Sequence, residues 1–412
     1  MEVFSLFALA GIIIFLGFFG EIIFEKTNIP DIIWLMIFGV VLNIFFPQLA
    51  NNPSFGAVSK IFTSFALIYI LFEGALSINI KQLITQFFKG VNLTVVNFIF
   101  TTVIIGILMF IFFRWKFSSG LLLGAIVGGS SSAVVIPITK KITMNKNSSL
   151  ILTIESAISD VLCIVGAVTL ITLIGSDSGG LSINSIFNEV IIKFAVSILL
   201  GLFSGFMWIK IQKRMEKFTK SYMTTIAFLL LMYGFVEYMD QNGAIACLAF
   251  GLILGNSKKI MYMVEKDNTA SMSHSQKFFY SEISFFVKSF FFVYLGLLMN
   301  FNDLGGILLG FLLTLIIFII RPFVVLITVK THILDKDRAF MEALAPKGLA
   351  AAVLAQIPAQ AGLPYGEKYS TIVLSIIFFS ILISTILIFI IEKGYFKGLG
   401  IKVIEKRRKR MH

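Results

Sequence analysis

Residues 148–175 read SSLILTIESAISDVLCIVGAVTLITLIG, an apolar run of membrane length with two carboxylates, Glu155 and Asp160, near its centre. A charge at mid-bilayer costs at least about 2.5–3.5 kcal/mol, so such a group persists where it is paired or where it meets an ion. Five residues separate the two acids, so on a helix they project about 140° apart and meet different neighbours. Ser156 lies one turn before Asp160 on the same face, and Ser159 directly precedes it. Asp160 therefore has oxygen-bearing company suited to a hard monovalent cation, whereas Glu155 is placed to meet a basic residue. A carboxylate in a narrow, partly dry cavity holds either a proton or a cation. Competition of the two for one site is sufficient for exchange, provided the empty charged site does not cross.

Four further ionisable residues lie well inside apolar stretches: Glu73 in LFEGALS, Lys288 in FFVKSFFFVYLGLLM, Arg321 before Pro322, and Lys347 in ALAPKGLAAAV. Three buried acids and three buried bases suggest pairing that leaves little net charge. Arg321 stays charged and suits a permanent bridge, with Glu155 as its partner. Lys288 is a rival partner for Glu155, or for Asp160. Lys288 and Lys347 are both read as charge-compensating groups. Glu73 either completes the ion site, shapes its cytoplasmic mouth, or serves as a structural hydrogen-bonding group. Glu21 and Glu237 fall near the ends of apolar stretches and read as interfacial.

These side chains must be positioned by membrane-spanning helices. The chain has 412 residues, 58% hydrophobic and 14% charged, a polytopic membrane composition. Stretches long enough to cross a bilayer fall at 4–24, 30–46, 60–78, 91–113, 118–139, 148–175, 186–209, 221–239, 243–256, 278–299, 304–329, 339–360 and 369–391. Lysine and arginine alternate between successive loops. One side carries most of them, from Lys26, Lys81 and Lys89 to the KRRKR run at 406–410, and the other only Lys60, Arg114, Lys116 and Lys368. That asymmetry places the C-terminus in the cytoplasm and, with thirteen spans, the N-terminus outside. Residues 1–392 form the transmembrane domain, and 393–412 a basic cytoplasmic tail. The longest polar connection, 257–277, is expected on the cytoplasmic surface.

The fifth stretch contains GAIVGGSSSAVVIP, including Ser130, Ser131 and Ser132, and the twelfth contains ALAPKGLAAAV. Glycine and proline at mid-depth free backbone groups, which is tolerable where protein or an aqueous cavity receives them. Matched interruptions in two halves point to an inverted-repeat secondary transporter. The repeats are expected over about 1–175 and 221–392, with a linker helix at 186–209.

The remaining composition narrows the function classes. Three histidines and two cysteines are too few and scattered for a metal centre or disulfide framework. The net charge of +12 follows the loops and not a nucleic-acid surface. No cofactor and no nucleic-acid partner are expected; membrane lipid is. An enzyme is not expected either, although Ser130–Ser132 with Lys347 resembles the parts of a serine–lysine hydrolase. A passive cation channel is the other competing reading.

The ordered set ESAISDVL, LFEGALS, GAIVGGSSSAVV, FFFVYLGLLM, IIRPFVV and APKGLAAAV resembles the cation:proton antiporter superfamily, nearest its NhaP-like sodium/proton exchangers, over nearly the whole chain. The resemblance implies thirteen spans, crossed broken helices in spans 5 and 12, a homodimer in the cell membrane, and alternating access. It places the ion-binding aspartate on Asp160, with Ser156 and Glu73 at the site, and a structural pair on Glu155 and Arg321. Two departures stand out: Ser159 precedes Asp160 where an asparagine is common, and Ser130-Ser131-Ser132 replaces Thr-Asp-Pro. With Ser130, Ser131 and Ser159 as neutral ligands and a single aspartate, electroneutral exchange of Na+ or Li+ for H+ is expected. The serine-rich break raises K+/H+ exchange as the alternative.

Overall fold

The computed structural model describes residues 3–27, 31–46, 53–76, 78, 80–175, 183–215, 221–265, 272–299, 302–329 and 333–394. The basic run at 406–410 lies outside them. Among the described residues the regular structure is entirely helical. In chain order the helices are α1 (Val3–Thr27), α2 (Asp31–Phe45), α3 (Pro53–Leu76), α4 (Ile80–Phe113), α5 (Phe117–Ile126), α6 (Ser132–Lys141), α7 (Lys146–Gly175) and α8 (Ile183–Met215). There follow α9 (Ser221–Tyr238), α10 (Gly243–Gly255), α11 (Ser257–Glu265), α12 (His274–Leu297), α13 (Leu304–Thr328), α14 (Asp335–Ala343), α15 (Leu349–Leu354), α16 (Ile357–Gln360) and α17 (Gly366–Glu392).

Six of these helices are long and apolar enough to cross a bilayer alone, or seven if α10 and the start of α11, bent by 72°, count as one span. Length and composition thus stop short of the expected thirteen. The other stretches fall on shorter or interrupted helices. The fifth is divided into α5 and α6 around 127–131, and the twelfth into α14, α15 and α16 around 344–348. The twelfth also begins earlier than hydropathy indicates, because Asp335 and Asp337 open α14 where acidic side chains suit the helix dipole. The start of the polar connection at 257–277 is likewise helical: α11 presents Tyr262 and Met263 outward.

The chain divides into two compact units. The first comprises 1–56, 85–177 and 292–412. In it α5 and α6 pack on α7, α13 packs on α17, and α15 touches both α7 and α17. Side chains are absent where backbones meet: a Cβ on Gly296 would lie 2.9 Å from the Val40 nitrogen and 3.0 Å from the Gly39 Cα. Small residues at such crossings are how apolar helices gain dispersion contacts in lipid. α13 continues through Pro322, and Arg321 and Pro322 are both buried.

The second unit comprises 57–84 and 178–291. Its core is aromatic: Phe72 meets Tyr69, Phe250 and Tyr280 with ring centroids 5.6–6.0 Å apart. The Tyr69 hydroxyl donates to the Tyr280 carbonyl at 3.0 Å.

The tight crossing yields a contrast. Gly296→Leu should sharply reduce folded yield, whereas Gly11→Ala, with open space around the added methyl, should leave it near wild type. Size-exclusion profiles and melting curves in detergent check this, and equal behaviour of the two variants would contradict the packing.

Candidate functional site

Where α5 and α14 stop inside the first unit, carbonyls and amides at the breaks run out of helical partners. Several of them are received by distant residues. In the first break, the Gly128 carbonyl accepts from Asn97 Nδ2 at 3.1 Å and the Gly129 carbonyl from Lys347 Nζ at 2.7 Å. Ser159 Oγ accepts from the Ser130 amide at 2.9 Å and donates toward the Ser130 carbonyl at 3.1 Å. The Ser131 amide donates to the Pro346 carbonyl at 2.7 Å, so the two breaks touch. In the second, the Lys347 amide donates to Ser380 Oγ at 2.9 Å.

Arg321 closes the other end of the second break. Its Nε donates to the Met341 carbonyl at 3.0 Å and its Nη2 to the Leu344 carbonyl at 3.4 Å. The same guanidinium grips Glu155 with both terminal nitrogens, Nη2 reaching Oε2 at 2.7 Å and Nη1 reaching Oε1. Both side chains are buried, at 0% and 1% exposure. A planar fork of five donors can do this; an ammonium cannot.

Asp160 differs. It is half-buried, and its Oδ2 accepts from Ser132 Oγ at 3.0 Å. Among the described residues it forms no ion pair. Ser132 opens α6, following the N-cap Ser131, so the carboxylate stands by the positive end of a broken helix. Glycine is required beside it: a Cβ on Gly129 would lie 2.8 Å from Cys163 Sγ and 3.2 Å from the Ser159 carbonyl. The Ser130 hydroxyl is buried without a hydrogen-bond partner.

Residues 11–393 match the family described as sodium/hydrogen exchanger, transmembrane. The chain belongs to the sodium/hydrogen exchanger family. It is 27% identical over 330 residues to the K(+)/H(+) antiporter NhaP2 of Shewanella baltica, covering 78% of this chain and 55% of that protein. The chain thus spans about half the length of the NhaP2 relatives it matches. It is 26% identical over 375 residues to Na(+)/H(+) antiporter 1 of Methanocaldococcus jannaschii, covering 86% and 83% of the two chains. The structure of the sodium proton antiporter MjNhaP1 from that organism superposes with a TM-score of 0.74 at 23% identity, over 96% of this chain and 97% of that one. That likeness concerns the fold: this exchanger-family chain is an all-helical, multi-pass membrane protein of the same architecture.

The expected site residues distribute unevenly. Glu155 pairs with Arg321, and Lys288 is not its partner. Lys288 lies in the second unit, where its Nζ is 3.3 Å from Glu73 Oε2, an oxygen that also accepts from Ser284 Oγ at 3.2 Å. Lys347 meets a carbonyl instead of a carboxylate or a serine hydroxyl, which removes the hydrolase dyad. Ser159 braces the first break, and Ser156 Oγ donates to the Thr153 carbonyl at 3.1 Å within its own helix. Ser131 packs against Gly348. The hydroxyl on Asp160 belongs to Ser132, which is not among the expected ion-site serines Ser130, Ser131, Ser156 and Ser159. The signal was there, since the first residue of a helix after a glycine break points its side chain past the helix end.

Arg321→Ala leaves Glu155 charged and alone and two carbonyls open, a loss of about 3–5 kcal/mol. Arg321→Lys should recover little of it. Folded yield and thermal melting of both variants check this, and wild-type stability in Arg321→Ala would refute the bracing role.

Proposed function

We propose that the chain is a secondary-active antiporter that exchanges a monovalent cation for protons by alternating access around Asp160. One observation carries this reading: among the membrane-embedded acids, Glu155 and Glu73 each have a basic partner, whereas Asp160 has a hydroxyl and a helix end. A fixed ammonium would neutralise the carboxylate in every state. The partial charge of α6 softens the cost of ionisation without ending it, so a proton or a cation completes the neutralisation. One carboxylate, neutral in both loaded forms, supports one-for-one electroneutral exchange.

The cation would be held by Asp160 with the hydroxyls of Ser132 and Ser130, the latter free to turn toward it. Ser131, Ser156 and Ser159 shape the same region. Na+ or Li+ is the favoured substrate. K+ is the second reading, favoured by the absence of an acid from the Ser130–Ser132 break and by relatives named as K+/H+ antiporters. The finer architecture belongs to the proposal too: thirteen spans in inverted repeats, a homodimer in the plasma membrane, N-terminus outside and C-terminus cytoplasmic. It is supported by two breaks at corresponding positions, spans 5 and 12.

In liposomes with an imposed pH gradient and a trapped pH dye, Na+, Li+ or K+ should cause dequenching that voltage clamping does not alter. Asp160→Asn should abolish the response at normal expression. Ser132→Ala should keep turnover and raise the KM for the cation about tenfold, the loss of one hydrogen bond to a charged group. Exchange that persists in Asp160→Asn would sink the reading.

A further inference from the structure

The two breaks of the first unit are built alike, residue for residue. α6 follows the N-cap Ser131 and α15 the N-cap Gly348, so Ser130 corresponds to Lys347 and Gly129 to Pro346. In each break the peptide unit joining the corresponding pair is held at both ends. The Gly129 carbonyl accepts from Lys347 Nζ at 2.7 Å, and the Ser130 amide donates to Ser159 Oγ at 2.9 Å. The Pro346 carbonyl accepts from the Ser131 amide at 2.7 Å, and the Lys347 amide donates to Ser380 Oγ at 2.9 Å. Both carbonyls are thus received by the opposite break, and both amides by a serine on the next long helix, α7 or α17.

The two serines also match in their own bonding. Ser159 Oγ reaches the Ser156 carbonyl at 3.1 Å and Ser380 Oγ the Ile377 carbonyl at 3.0 Å, each three residues back on its helix. Both side chains are buried. With the proton engaged there, each hydroxyl keeps a lone pair for the amide of its break. What the breaks carry is different. Ser159 is followed by Asp160, but Ser380 by the buried Ile381. The Ser130 hydroxyl, buried without a hydrogen-bond partner, has the Lys347 ammonium as its counterpart. In place of a cation's ligands, the second break sends an ammonium across to the first.

A peptide unit is rigid and planar, so fixing its carbonyl and its amide fixes the direction in which the next side chain leaves. Lys347 and Ser159 hold the Gly129–Ser130 unit in this way, and the Ser130 hydroxyl is one of the cation's proposed ligands. Lys347 does so from the end of a flexible four-carbon stem, so its grip is as firm as its own backbone. Ser380 supplies that firmness. We propose that Ser380 is a positioning residue for cation exchange, acting through Lys347 on the Ser130–Ser132 segment beside Asp160. The proposal rests on the exchange reading. It adds a residue of α17 to a site whose ligands lie on α6, α7 and the break before α6.

The test is proton exchange by the full-length protein in liposomes, with Na+, Li+ and K+ each titrated. Ser380→Ala should raise the KM for the transported cation about fivefold, the loss of one hydrogen bond, and leave the maximal rate near that of wild type. A merely structural role would lower folded yield and melting temperature without moving KM. Ser380→Thr keeps the hydroxyl and should keep the wild-type KM. Ser375→Ala removes an equally buried hydroxyl of α17, one bonded to the Thr371 carbonyl of its own helix, and should leave KM unchanged. If Ser380→Ala folds poorly, Ser380→Cys, with a weaker acceptor of similar size, should give an intermediate KM. A wild-type KM in the folded variant, or equal shifts in Ser380→Ala and Ser375→Ala, overturns the proposal, while loss of exchange in Asp160→Asn keeps the reading beneath it. Exchange that survives Asp160→Asn, or no exchange in the wild type, overturns both.

Discussion

A helix that ends inside an apolar medium leaves amides and carbonyls that water does not reach, and each one unsatisfied costs several kcal/mol. This protein ends two helices that way and answers from far along the chain. Asn97, Ser159, Ser380, Arg321 and Lys347 each give a hydrogen bond to, or take one from, backbone near a break. The two cations sit on carbonyl ends, where the dipole favours them. Arg321 is the keystone, because one guanidinium serves both a carboxylate on α7 and carbonyls at the end of α14. The position of Asp160 follows, since it is five residues from Glu155 on the same rigid helix.

The lower end of that helix is fixed by related chemistry. Asp337, buried at the start of α14, accepts from the Asn145 amide at 3.2 Å and from Ser148 Oγ at 2.8 Å. A carboxylate from one element thus caps the N-terminus of another, as a local N-cap residue otherwise does. α7 is held at its start by Asp337, in its middle by Arg321, and beside Asp160 by the Ser159 clamp. A weakly held carboxylate on a firmly held helix is a sound design for a site whose occupant must change while its geometry does not.

Much of this was legible in the residues. Glycine and proline inside apolar runs marked both breaks, although glycine also serves close packing at the Gly39–Gly296 crossing and α13 continues through Pro322. Glu155 and Asp160 declared different roles through helical angle alone. Partner choice was not legible: Lys288 and Arg321 both lie in late apolar stretches, and only the packing of helices assigns one to Glu73 and the other to Glu155. The Ser130–Ser132 run offered three equivalent hydroxyls, and which one meets Asp160 depends on the residue where α6 begins. Lys347 was read by charge, as a partner for an acid, when its neighbour is a dipole. Hydropathy also missed the start of α14, since Asp335, Lys336, Asp337 and Arg338 look like a loop until Asp337 is seen to meet Ser148 and Arg338 the Val329 carbonyl.

Residues 128–131 fall between two helices, yet every one of them is tied to a residue at least twenty-nine positions away. Irregularity and looseness are therefore separate properties here. In hydrogen–deuterium terms, the amides of Ser130 and Ser131 open only when α7 or the 344–348 segment departs, so their exchange reports the integrity of the whole first unit and not local fraying. The segment that looks least ordered on paper is the one whose release would mean the loss of everything around it.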